Sequence, residues 1–112
     1  MPSNAPLHLP ESWLREVQAI LRAHLPEAEV WAYGSRVKGD HHEASDLDLV
    51  ARFPEAADKT KRFLSLDETK AAFIDSNLPI IVQIVDWDAI PQSFRDEIQP
   101  RYIVLQARDA YA

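Results

Sequence analysis

A chain of 112 residues, 46% apolar and 27% charged, has room for one globular core, not two, and is too apolar to be disordered. With no cysteine it can build neither a disulfide framework nor a thiolate zinc site, and a net charge of −6 disfavours a templated polymerase or DNA-binding role, which needs a basic patch to neutralise phosphates. No apolar run approaches the ~18 residues needed to span a bilayer, and Met1 to Pro10 lack the basic start and apolar stretch of a secretion signal, so a cytoplasmic, membrane-free protein is expected.

Residues 1–9, with Pro2 and Pro6, are expected to form a flexible tail before a single domain over 10–112. The spacing of Leu14, Val17, Leu21 and Leu25 predicts a helix from Pro10 to Leu25, stopped by Pro26. Val30 to Tyr33 reads as a short buried strand that ends at Gly34-Ser35. Residues 36–45 are polar and contain Gly39, which predicts a helical turn and then a loop. Asp46 to Phe53 alternates as a strand with two unlike faces. After a linker with Pro54, the capping-box pair Ser65 and Glu68 predicts a helix running to about Ser76. Pro79 precedes the most apolar strand candidate, Ile80 to Val85. Ser93 is expected to cap a last helix through Ile98, and Tyr102 to Leu105 is open between helix and strand. The order α-β-α-β-α-β-α implies an α/β domain: a small mixed sheet flanked by helices.

The chemistry concentrates on two short segments. Asp46 and Asp48, two apart on a strand, project from one face with Cα atoms roughly 6.5–7 Å apart. Carboxylates held so can converge on a hard cation such as Mg²⁺, which prefers oxygen ligands. Gly34 allows close approach of backbone to a phosphate, and Ser35 adds a hydroxyl donor. Each pair alone is weak; the sequence joins them as strand, Gly-Ser, ten residues, then Asp-x-Asp on a second strand.

In that combination, Gly34-Ser35-Arg36-Val37-Lys38-Gly39 followed by Ser45-Asp46-Leu47-Asp48-Leu49 resembles the minimal nucleotidyltransferase family, within the DNA polymerase beta-like superfamily. The resemblance extends over roughly Leu14 to Ile98. It implies a nucleotidyltransferase fold in which Gly34 and Ser35 hold the triphosphate of ATP or another nucleoside triphosphate. Arg36 would lie near the phosphates, and Asp46 and Asp48 would hold two Mg²⁺ ions. The family transfers a nucleoside monophosphate to a hydroxyl and releases pyrophosphate. Many members stand beside a HEPN-domain toxin, which some neutralise by attaching adenylate to a tyrosine. The shortness of the chain favours an acceptor supplied by such a protein partner.

The family's third carboxylate aligns with Gln83, a neutral amide that binds Mg²⁺ weakly and cannot serve as a general base. Gln83 is the polar residue within Ile80 to Val85, and an unpaired buried amide would cost about 1–3 kcal/mol, so it is expected to face the site. Asp86, three positions on, should face the other way. Two functions follow: an active transferase acting on a partner protein, or an antitoxin that keeps the fold and works by binding alone. His41 and His42 read as solvated, Trp13, Trp31 and Trp87 as core or interface anchors, and Asp86 and Asp88 as caps of the next turn.

Overall fold

The computed structural model describes residues 7–40 and 42–108, so residues 1–6 of the expected tail, and His41, lie outside the described residues. Leu7 to Leu9, the described part of that segment, are docked: Leu7 and Leu9 pack on the core, and the His8 amide donates to the Arg36 carbonyl at 2.8 Å. Burial of the two leucines opposes the disorder that the flanking prolines suggest.

The elements are α1 (Glu11–His24), β1 (Glu29–Tyr33), α2 (Ser35–Lys38), β2 (Leu47–Arg52), α3 (Lys59–Ile74), β3 (Val82–Asp86), a 3-10 turn (Trp87–Ala89), α4 (Gln92–Ile98) and β4 (Ile103–Gln106). The four-stranded sheet has the order β3-β2-β1-β4. Strand β1 is antiparallel to β2 and β4, whereas β2 and β3 run parallel. Parallel neighbours need a crossover, and α3 supplies it. This is the small mixed sheet flanked by helices that the element order implied.

Alternation along the strands gives the sheet two faces. Leu47, Leu49 and Ala51 of β2 join Val30, Ala32, Ile84, Ile103 and Leu105 in a core shared with Val17 and Leu21 of α1 and Leu66 and Phe73 of α3. Each large side chain fully buried there contributes about 1.5–3 kcal/mol. On the opposite face Trp31, Val50 and Ile98 form a second cluster with Tyr33, Trp87, Phe94 and Tyr102. Trp31 stacks on Tyr102 at 3.8 Å and meets Trp87 edge-on at 5.3 Å, so both tryptophans anchor packing, as expected. This second cluster fills only part of its face. The far end of the same face carries Asp48 and Gln83.

Two helix starts differ from expectation. Helix α3 begins at Lys59, with the Asp58 carboxylate accepting from the Thr60 and Lys61 amides. The Ser65–Glu68 pair lies inside that helix, where the Ser65 carbonyl accepts from the Thr69 hydroxyl at 2.7 Å. An aspartate seven residues upstream satisfies the free amides first, so the capping-box spacing is coincidental. Helix α4 starts after Pro91 with no side-chain cap, and Ser93 falls within it. Proline supplies a favourable φ at that boundary. Residues 103–106 resolve as an edge strand beside β1.

Candidate active site

Strand β1 ends at Gly34, whose backbone adopts φ 83°, ψ −155°, a region that side-chain-bearing residues rarely enter. A Cβ at this position would meet Asp48 Oδ2 at 2.6 Å. Glycine is therefore required twice over, by the turn and by the carboxylate lying against it. Ser35, half-buried, opens α2 directly beyond, and Gly39 closes that helix in the left-handed conformation.

Asp46 leads into β2 and Asp48 is its second residue. Sheet register pairs Tyr33 with Asp48 and Asp48 with Gln83. The Gln83 amide nitrogen donates to Asp46 Oδ2 at 2.9 Å. Gly34, Asp48, Gln83 and Asp46 thus form a continuous patch at the end of one sheet face, with Ser35 at its rim. Gln83 faces this patch, as its place in an apolar strand suggested. Asp86 pairs with Ala51, whose side chain lies in the opposite core, and its carboxylate accepts from the Asp88 amide at 2.9 Å. It caps the 3-10 turn as expected; Asp88 instead forms ion pairs with Arg62 at 3.0 Å and Arg95 at 3.9 Å.

Charge in the patch is one-sided. Partial burial, and then the negative Asp46, hold the Asp48 carboxyl above its usual range. Burial, and then Asp48, push the Tyr33 phenol up to about 12, so it remains protonated at neutral pH. Tyr33 escaped notice in the sequence because its position beside Asp48 depends on strand register. Its only local signal is that it immediately precedes Gly34 on the face shared with Trp31.

The donor set suits a hard divalent cation: two carboxylates, one on β2 and one directly before it, whose mutual repulsion a cation would relieve. Mg²⁺ commonly takes one or two protein carboxylates and completes its shell with water and substrate phosphates. Among the described residues no group of three or more Asp, Glu, His or Cys is gathered to hold a metal, which leaves Asp46 and Asp48 as the carboxylate pair. His42 is exposed in its loop, where its Nδ1 accepts from the Ala44 amide.

Arg36 departs from expectation. It is only 3% exposed, and its guanidinium donates to the carbonyls of His8, His42, Glu43 and Ser45. Those bonds engage all three guanidinium nitrogens with backbone carbonyls of residue 8 and of the 42–45 loop. Lys38, on the last turn of the same short helix, is exposed.

The family model described as "Nucleotidyltransferase domain" matches residues 14–106. A relative from Haemophilus influenzae, named "Probable protein adenylyltransferase MntA", is 39% identical over 109 residues, covering 97% of this chain and 92% of its own length. A crystal structure of a toxin-antitoxin with AMP-PNP superposes with a TM-score of 0.59 at 20% identity, covering 86% of this chain and 74% of that one. A structure of a tri-AMPylated Shewanella oneidensis HEPN toxin in complex with MNT antitoxin gives a TM-score of 0.52 at 17% identity, over 84% of this chain and 69% of that one.

Proposed function

The chain belongs to the nucleotidyltransferase domain family, and on that premise we propose that it transfers a nucleoside monophosphate from ATP, with Mg²⁺, to a hydroxyl of a HEPN-type toxin partner. It would thereby act as the antitoxin of that partner in the cytoplasm. The observation that carries this reading is the convergence of Gly34, Asp48, Gln83 and Asp46, with Asp48 fixed by strand register against the glycine turn and Asp46 bonded to the Gln83 amide. The likeness to a protein named as an adenylyltransferase over nearly its whole length supports the same reading, as do neighbours solved with a nucleotide analogue and a HEPN toxin. No described helix is long and apolar enough to cross a membrane, which is compatible with the cytoplasmic assignment.

In this reading Asp46 and Asp48 hold the metal, and Gly34 and Ser35 present backbone and hydroxyl to the triphosphate. Lys38 is the exposed cation of α2 available to the outer phosphates. Bound Mg²⁺ would supply positive charge to offset the triphosphate and polarise the reacting phosphoryl group. The acceptor oxygen bonds to the α-phosphorus as the bond to the β-phosphate oxygen breaks, which releases pyrophosphate. The acceptor's proton passes to a carboxylate or to water, because the Gln83 amide cannot take it.

Gln83 itself supports a second reading. Its amide occupies the place of the family's third carboxylate and is bonded to Asp46, an arrangement suited to nucleotide binding with slow or absent transfer. Calorimetric titration with ATP, with and without Mg²⁺, tests the common part: wild type should bind only with metal, and the Asp46→Ala, Asp48→Ala double variant should not. Equal binding by the two proteins would refute the site. Label transfer from α-labelled ATP to the co-purified partner separates the readings. An unlabelled partner held in a stable complex favours the binding-only antitoxin.

A further inference from the structure

A buried guanidinium without a counter-ion is expensive unless each N–H finds an acceptor. Arg36 is 3% exposed, and no carboxylate forms an ion pair with it among the described residues. Its Nε donates to the Ser45 carbonyl at 3.0 Å and one terminal nitrogen to the His8 carbonyl at 2.9 Å. The other terminal nitrogen reaches the Glu43 carbonyl at 3.0 Å and that of His42 at 3.5 Å. The indole of Trp13 lies 5.9 Å from the guanidinium carbon.

Three of those acceptors belong to the turn at 42–45, which is neither helix nor strand and ends next to Asp46. The turn has bonds of its own, from the His42 amide to Ser45 Oγ and from the Ser45 amide to the His42 carbonyl, but these do not fasten it to the domain. The fourth acceptor, His8, returns a bond to the Arg36 carbonyl, and its ring lies over Gly39. One side chain therefore ties the residue after Ser35 to the residue before Asp46.

We propose that Arg36 is a positioning residue for the metal-nucleotide site: its buried guanidinium gathers the carbonyls of His8, His42, Glu43 and Ser45, sets the place of Asp46, and does not bind phosphate. This rests on the reading of Asp46 and Asp48 as the metal pair. It follows that charge alone cannot replace Arg36. A lysine ammonium is a compact point donor and cannot span acceptors arrayed around a planar fork.

The test uses the full chain and its Arg36→Lys variant, with three readouts. Hydrogen exchange of the 42–46 amides in the metal-free protein should quicken in the variant. The Mg²⁺ concentration for half-maximal ATP binding should rise by about 10–100-fold, the range typical when a group supporting a metal ligand is lost. ATP affinity at saturating Mg²⁺ should stay within about threefold of wild type, since the phosphate contacts are intact. Arg36→Met should give the same pattern as Arg36→Lys. Unchanged exchange in a folded Arg36→Lys protein would overturn the proposal whatever the fate of the nucleotide site. So would weaker ATP binding at saturating Mg²⁺ with an unmoved Mg²⁺ midpoint, the mark of a phosphate ligand. A wild type that binds ATP no differently from the Asp46→Ala, Asp48→Ala variant would overturn the site reading and, with it, the role in metal binding. Should Arg36→Lys fail to fold, the wild-type protein is read directly by NMR of its arginine side chains: the Arg36 Nε–H, bonded to the Ser45 carbonyl, should exchange slowly and its signal should not move when ATP is added at saturating Mg²⁺. A fast-exchanging Arg36 Nε–H, or a signal that shifts with ATP as a phosphate ligand would, overturns the proposal.

Discussion

Replacing Gln83 with aspartate exchanges a hydrogen-bond donor for a third negative charge at a known place in the sheet. The Gln83 amide donates to Asp46 Oδ2 at 2.9 Å, and the loss of a bond to a charged group removes about 1.5–3 kcal/mol, toward the lower end for a pair open to solvent. The new carboxylate sits one strand away from Asp48, about 4.8 Å between backbones. Unit charges at about 5 Å repel by about 0.8 kcal/mol in water and about 3 kcal/mol at an effective dielectric of 20; the exposed site falls near the lower figure. The metal-free variant should therefore be less stable by about 2 kcal/mol, and its melting temperature lower by about 8–15 °C. Metal reverses the sign, because a third carboxylate adds charged oxygen where Mg²⁺ prefers it. Mg²⁺ with ATP should return at least that stability, since ligand at 100 times its Kd contributes about 2.7 kcal/mol. Label transfer to the partner should rise by about 10²-fold if the carboxylate also accepts the proton. Melting scans with and without Mg²⁺, run beside the transfer assay, check both parts. A variant that melts lower, shows no Mg²⁺ rescue and gains no transfer would refute the placement of Gln83 in the metal site.

Gly34→Ala should destabilise the protein by about 1–3 kcal/mol through the unfavourable φ alone. It should also abolish Mg²⁺-dependent ATP binding by displacing the Asp48 carboxylate; chemical denaturation and calorimetry read the two effects. Asp48 ionises less readily in the folded chain than in the unfolded one, so its stability contribution is complete at low pH and lost as pH rises through its raised folded value. Asp48→Asn should accordingly raise the melting temperature of the metal-free protein at pH 7, with the gain vanishing in acid, while ATP binding is lost. Asp58→Ala should cost about 1 kcal/mol in urea unfolding as α3 loses its cap, whereas Ser65→Ala should shift stability by no more than about 0.5 kcal/mol. The reverse order would restore Ser65 as the helix start.

The sequence by itself determined the α/β class, the Gly-Ser turn, the Asp-x-Asp pair and the facing of Gln83. Each of these follows from a local rule: strand period two, the freedom of glycine, and the cost of burying an unpaired amide. Tertiary structure decided the rest, because the deciding partners lie far apart in the chain or carry no side-chain signature. Asp58 displaced Ser65 as a cap because helices start wherever amides are first satisfied, and two candidate caps in one sequence do not announce their order. Residues 103–106 became a strand only because β1 offered a free edge to pair with. Tyr33 came to lie beside Asp48 through the β1–β2 register, which no single segment encodes. Arg36 was taken from solvent by backbone carbonyls of residues 8 and 42–45. Every residue possesses a carbonyl, so a sequence cannot say which will converge; only the folded turn brings these to one guanidinium.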